Sequence, residues 1–424
     1  MREGYKETAI GWIPEDWKLK RIGDFAELTA GATPSTKEPK YWGGNIPWMN
    51  SGEINLKRIK NVDGRITELG FRNSSTKMVP RWSILIALAG QGKTRGKVAV
   101  NEIELCTNQS LAAIMNLKDV DAEFLFQNLD SRYFEIRKMS TGDVGRGGLN
   151  LQIIKSISVA LPPLKEQKQI ASFLSTVDDK IDAINERITQ TQQLKNGLMQ
   201  QLLTKGIGHT KYKDSPLGEI PENWDVVKLG SLVTKVGSGI TPKGGNETYL
   251  NTGIIFIRSQ NVLVGKMNLS EVAYISLEQH KKMSGSKLMA GDVLLNITGA
   301  SIGRSCIVPS SIVEGNVNQH VCIIRTKRNL DANFLCQILN SYHGQNQIEK
   351  FQAGGNREGL NFQQIRSFEI AYPPIKEQKK IAEIFSSVDE KLGILQEKKT
   401  GHEQLKKGLM QKLLTGQIRV NTIN

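Results

Sequence analysis

The eight residues Ala87-Leu88-Ala89-Gly90-Gln91-Gly92-Lys93-Thr94 have the most suggestive catalytic spacing in the chain. With alanine for the first glycine they satisfy a relaxed phosphate-loop pattern, in which backbone amides and a lysine cradle the phosphates of a nucleotide. Such a loop must open a helix whose N-terminus faces the phosphates. Here Arg95-Gly96-Lys97-Val98-Ala99-Val100 reads as a second strand, and Gly299-Ala300-Ser301-Ile302-Gly303-Arg304-Ser305 repeats the glycines and a basic residue without the Gly-Lys-Thr order. A basic turn between two strands, able to lie against a phosphate backbone, is therefore expected. An NTPase using Lys93 is the enzyme-class alternative.

A second kind of site is written twice. The run from Ser140 to Asn150, STGDVGRGGLN, is answered by AGGNREGLN from Ala353 to Asn361. Glycines let a backbone approach a ligand closely, and arginine and asparagine pair in bidentate fashion with guanine and adenine edges. Arg146, Asn150, Arg357 and Asn361 are thus candidate base readers; a tight turn carrying a solvated arginine is the alternative. Lys57, Arg58, Lys60, Lys93, Arg95 and Lys97 in the first half, with Lys243, Arg258 and Arg304 in the second, supply further positive charge in expected loops. There they would hold phosphates without reading a base.

Other chemistries are poorly supplied. His209, His280, His320, His343 and His402 are scattered, with no His-x-x-x-His pair and no acidic partner at ligand spacing, so no metal site is expected. Asp178-Asp179 and Asp389-Glu390 lie beside Lys180 and Lys391 in helical sequence and read as solvated helix-face charge. No nucleophile motif surrounds the serines. The four cysteines form no Cys-x-x-Cys pair, which suits a reducing cytoplasm better than a disulfide framework. The chain reads as a binder whose chemistry is done elsewhere.

The elements that must position these residues are also duplicated. PPLKEQKQIASFLSTVDDKI from Pro162 returns as PPIKEQKKIAEIFSSVDEKL from Pro373, and LKNGLMQQLLT from Leu194 as LKKGLMQKLLT from Leu405, both 211 positions on. Upstream, YKETAIGWIPEDW from Tyr5 is answered from Tyr212, and between these anchors Thr33-Pro34, Asn108-Gln109 and Gly148-Leu149-Asn150 return as Thr241-Pro242, Asn318-Gln319 and Gly359-Leu360-Asn361. Each copy is too long for a solenoid repeat and should be a domain with an attached segment. After each Pro-Pro pair, apolar residues alternate at spacings of four and three: Ile170, Leu174, Val177, Ile181, Ile184, Ile188, Leu198 and Leu202, then Ile381, Phe385, Val388, Leu392, Leu395, Leu409 and Leu413. This is a heptad seam, broken by Thr191, Lys195, Lys399, His402 and Lys406. Proline opens each segment, Glu166 or Glu377 follows in the first turn, and Gly206 and Gly416 sit where helices stop. Two helices of about 42 residues, some 60 Å long, are predicted. The cheapest partner for each is its duplicate, run antiparallel, because only Ile207 to Lys211 separate the first helix from the next globular stretch.

Short apolar runs at Ser83, Asp292 and His320 are bounded as strands are, and Asp121 caps a helical pattern. The expected fold is α+β: two mixed domains at 1–160 and 207–372, with long helices at 161–206 and 373–424 pairing as an antiparallel coiled coil of pseudo-twofold symmetry. At 424 residues and a net charge of +14 the chain has room for sizeable cores and attracts polyanions, and it holds no apolar run of membrane-spanning length.

The two PPxKEQK segments, placed after two mixed domains, resemble those of the specificity subunit of Type I restriction-modification enzymes, along the full chain. The resemblance implies two target recognition domains, each reading one half of an asymmetric bipartite DNA sequence, with the helices setting the gap between the halves. It implies two methyltransferase subunits docked around the helices and two motor-nuclease subunits in the full complex. S-adenosylmethionine, ATP and Mg²⁺ would belong to those partners and none to this chain. Carried over by position, Lys165, Glu166, Gln167, Lys376, Glu377 and Gln378 become candidate docking residues. A free-standing bipartite DNA-binding regulator is the binding-class alternative.

Overall fold

The computed structural model describes residues 3–90, 94–140, 148–242, 248–352 and 359–420. It contains two compact units, one formed by residues 1–185 with 397–424 and the other by residues 186–396.

In the first unit a five-stranded sheet runs in the spatial order Glu27–Ala30, Leu111–Met115, Ile84–Ala87, Val98–Asn101, Arg58–Ile59. The first four strands are antiparallel neighbours and the last is parallel to its own. The second unit repeats the antiparallel part as Val233–Ser238, Val321–Thr326, Val293–Asn296, Ser305–Ile307. Each unit adds a three-stranded sheet: Cys106–Thr107, Trp42–Met49, Arg65–Ile66, and correspondingly Gly315–Val317, Ile254–Ile257, Ala273–Ile275. Sheets and helices are mixed without regular alternation, as an α+β reading requires.

One helix closes each sheet. In Ala122–Ser131 the Asp121 carboxylate accepts from the Phe124 amide at 2.9 Å, and Phe124, Leu125, Phe126 and Leu129 are buried. In Ala332–Asn340, Asp331 caps Phe334 at 3.0 Å over Phe334, Leu335, Ile338 and Leu339. The helical pattern from Asp121 is not continuous: a second helix, Tyr133–Lys138, starts after Arg132, whose guanidinium donates to the Ser158 carbonyl at 2.7 Å and turns the chain there.

The two long helices span Leu164–Lys205 and Ile375–Leu413. They pair antiparallel within each unit. In the first, Ile170, Ala171 and Leu174 near the start of one helix share a core with Leu409, Met410, Leu413 and Leu414 at the end of the other. In the second, Leu198, Met199, Leu202 and Leu203 pack with Ile381, Ala382 and Phe385. Every heptad position predicted for the seam, the polar ones included, is buried or half-buried. Gly206 (φ +66°) and Gly416 (φ +70°) follow the helix ends in left-handed conformations.

Candidate nucleic-acid interface

Several cations expected in open loops are engaged inside the first unit. Arg58 lies on the strand Arg58–Ile59, and its two terminal nitrogens donate to the Glu123 carboxylate at 2.8 and 2.6 Å, over the Phe126 ring. Lys57 pairs with Asp130 at 2.7 Å, and the Lys97 ammonium donates to the Asn55 amide oxygen at 2.5 Å. The bidentate pair holds the Arg58 side chain against its own unit, as a strut between the strand and the helix that carries Glu123. Arg95 and Arg258 are half-buried, whereas Lys60 and Arg304 are exposed. Lys93, Arg146, Lys243 and Arg357 lie outside the described residues.

Asn150 and Asn361 are also engaged. Each is the N-cap of a short helix, its side-chain oxygen accepting from the Ile153 amide at 2.9 Å or the Gln364 amide at 2.8 Å. The cap holds each amide against the start of its own helix. The former phosphate-loop stretch joins Ile84–Ala87 to its antiparallel neighbour Val98–Asn101, and its duplicate joins Val293–Asn296 to Ser305–Ile307. In both units the connection leads into a strand, with only the short 3-10 turn Gly299–Ser301 described within the second, so the NTPase alternative lacks the long helix whose anion-binding end it needs.

At the edge of each sheet a polar pair appears that sequence reasoning used only as a landmark. Gly31 and Gly239 pass so close to the Thr107 and Val317 carbonyls that any Cβ would stand 2.2 or 1.6 Å from the oxygen. This brings the Thr33 hydroxyl to the Gln109 side-chain oxygen at 2.5 Å, and that of Thr241 to the oxygen of Gln319. Asn108 and Asn318 close the turns beneath, accepting from the Ser110 amide at 3.2 Å and the His320 amide at 3.1 Å. In the second unit a cleft of about 420 Å³ opens beside the pair, lined by Ser259, Gln260, Thr298, Ser301, Arg304 and His320. The signal was present in the sequence: Thr-Pro and Asn-Gln occur in both copies at matching places.

Each unit also has a groove beside the long helices, lined by both of them in the first and by Leu164–Lys205 alone in the second. The first, about 990 Å³, is lined by Ile10, Trp12, Ser131, Met410, Gln411 and Thr415 among others; the second, about 900 Å³, by Leu217, Glu219, Ser341, Met199, Gln200 and Thr204. Met410, Gln411 and Thr415 are the duplicates of Met199, Gln200 and Thr204.

Residues 14–194 and 221–404 match the family described as Type I restriction modification DNA specificity domain. The chain belongs to this family. It is similar to the Type I restriction enzyme MjaVIII specificity subunit of Methanocaldococcus jannaschii, 28% identical over all of this chain and 97% of the relative. A second relative from that organism, the MjaX specificity subunit, described as putative, is 28% identical over 99% of this chain and 98% of its own. In fold the chain is similar to the S subunit of a Type I restriction-modification system from M. genitalium, at a TM-score of 0.60 and 16% identity over 94% of this chain and 96% of the other.

Within the specificity-domain chain the repeated Pro-Pro-x-x-Glu-Gln segment proves to be an internal joint. Gln167 is 1% exposed; it donates to the Pro162 carbonyl at 2.8 Å and accepts from the Asp121 amide at 2.9 Å. Gln378, fully buried, does the same with Pro373 and Asp331, both at 2.8 Å. Glu166, 2% exposed, accepts from the Trp17 indole at 3.2 Å and from Arg419 at 2.8 Å. Glu377 accepts from the Trp224 indole at 3.1 Å and the Ile207 amide at 3.0 Å and contacts His209 at 2.8 Å. The expectation that these four dock a partner is corrected, because their polar atoms are spent tying each long helix to its own unit. Lys165 and Lys376 face solvent.

Two of the five seam breakers, Lys195 and Lys406, are explained by the paired acids. Lys406 reaches Asp178 at 2.6 Å, and Lys195 reaches Asp389 at 2.5 Å, with Gln127 and Gln337 donating to the same carboxylates at 2.8 and 3.4 Å. Asp178 and Asp389 are therefore interhelix partners rather than solvated charge; Asp179 and Glu390 are exposed. Among the described residues no three His, Cys, Asp or Glu side chains converge as metal ligands, and no helix is long and apolar enough to cross a membrane. The four cysteines are free and buried, and burial pushes the Cys106 and Cys336 thiols up to about 11, out of the nucleophilic range at neutral pH.

Proposed function

We propose that this chain is the sequence-reading subunit of a Type I restriction-modification complex acting on cytoplasmic double-stranded DNA. One observation carries the reading. A single recognition fold occurs twice in a chain of net charge +14, each copy fastened to a long helix by the same Glu-Gln joint. Two copies with different polar edges suit an asymmetric bipartite target, and a rigid helix pair suits a fixed gap between its halves. Twin grooves of similar size and duplicated lining offer equivalent seats to two copies of one methyltransferase subunit. Methylation and cleavage, with S-adenosylmethionine, ATP and Mg²⁺, belong to that subunit and to two motor-nuclease subunits.

The test is selection from a random duplex library by the chain co-expressed with a Type I methyltransferase subunit that assembles with it. Enrichment of two short defined sequences separated by a constant undefined gap is expected. Enrichment of one uninterrupted sequence, or of none, contradicts the reading.

A further inference from the structure

In the second unit the polar edge is wired in one direction. The Thr241 hydroxyl donates to the Gln319 side-chain oxygen, which turns the amide nitrogen toward His320; that nitrogen lies 3.1 Å from the ring Nε2. An amide nitrogen only donates, so Nε2 accepts, the ring proton sits on Nδ1, and Nδ1 donates to the Thr298 hydroxyl oxygen at 2.6 Å. What the His320 wall of the cleft and the adjoining Gln319 have left to offer is a second Gln319 amide hydrogen, the Thr298 hydroxyl hydrogen and the exposed Arg304 guanidinium, while Ser259 and Gln260 also line the cleft. All three of these groups can donate.

The rims cannot drift. Asn296, fully buried, donates through its amide nitrogen to the Ser259 carbonyl at 2.9 Å and the Ser301 hydroxyl at 3.1 Å, pinning the two turns that face each other across the cleft. The first unit is an internal control. It keeps the glycine approach, the Asx turn and the threonine–glutamine pair, but Ala89 stands where the second unit has Thr298, Ser110 where it has His320, and Ala87 where it has Asn296. The scaffold is common; the reading residues differ.

We propose that this cleft is the base-reading site of the second unit and that Thr298, Gln319, His320 and Arg304 select a base edge bearing only acceptors, the O6 and N7 of guanine in the major groove. Adenine presents a donor, N6, where guanine presents O6, and would face a hydrogen with a hydrogen. The proposal rests on the DNA-reading function above and assigns its chemistry for one half of the target.

The experiment is the same library selection, run on the full complex with the native chain and with Thr298→Ala combined with His320→Ser, which gives the second unit the side chains of the first. The native complex is expected to require guanine at one position of one half. The variant should lose that requirement, bind the native target roughly five- to a hundredfold more weakly, and select the other half unchanged. Gln319→Ala should relax the same position. A variant that selects the native sequence with native affinity, a relaxed position that is not guanine, or losses spread over both halves would each overturn the assignment. A native complex that selects no sequence overturns the DNA-reading function and the cleft with it.

Discussion

Lys406 occupies a seam position where a leucine would bury itself without cost, and its side chain is only 11% exposed. Desolvating a lysine costs several kcal/mol, and Asp178 and Gln127 offset this only in one register of the two helices. Lys195, Asp389 and Gln337 repeat the arrangement in the other unit. Such a pair adds little net stability and rejects alternative alignments, as a polar residue at a coiled-coil core position does. Asp178→Ala should therefore destabilise the chain by about 3 kcal/mol, whereas the double change Lys406→Met with Asp178→Leu should recover most of the loss. Denaturant unfolding of the two variants measures this, and equal losses in both would show that the charges themselves are needed for stability. A second pair behaves differently. The Arg419 hydrogen bond holds the Asp16 carboxyl below its ordinary 3.8, so the pair's contribution is complete above that value and is lost as pH falls through the lower folded value. The stability gap between the native chain and Asp16→Asn, which leaves the Arg419–Glu166 contact in place, should be flat from roughly pH 8 to 5 and shrink below roughly 4. A gap that widens on acidification would contradict the assignment.

At the scale of elements, the long helices were legible because a heptad seam repeated twice leaves little else for those segments to be, and the proline starts and glycine stops fixed their ends. Their antiparallel pairing followed from a five-residue connection, Ile207 to Lys211. The Glu-Gln motif was legible as a repeated feature but not in role: Gln167 reaches the Asp121 amide, 46 residues away in sequence, and Glu166 meets Arg419, 253 away. Spacing along the chain carries no sign of such partners. The same holds for Arg58, whose sequence neighbours are basic while its carboxylate, Glu123, arrives on a helix 65 residues later. Asn150 and Asn361 were read as base contacts because asparagine suits both base edges and helix caps, and only the short helices that follow decide between them. The duplicated grooves give a prediction at this scale. Met410→Glu should remove one of two bound methyltransferase subunits, Met199→Glu the other, and the two together both. Mass measurement of the assembled complex reads two, one, one and none. A complex that keeps two subunits with both changes would place docking elsewhere.

For the whole molecule, the internal duplication carries the functional argument. Each unit has its own sheets, its own cores and its own joint to the helices, so each can hold a reading edge rigid without reference to the other's side chains. The shared scaffold and the divergent edge, Thr298 and His320 against Ala89 and Ser110, describe two readers of one design with different texts. Independent reading is the central claim, and exchanging residues 1–160 for the first domain of another family member tests it most directly, with adenine methylation mapped across a genome that carries the hybrid. The account predicts that one half of the methylated sequence changes to that of the donor while the other half stays as it was. A hybrid that alters both halves together, or neither, would contradict it.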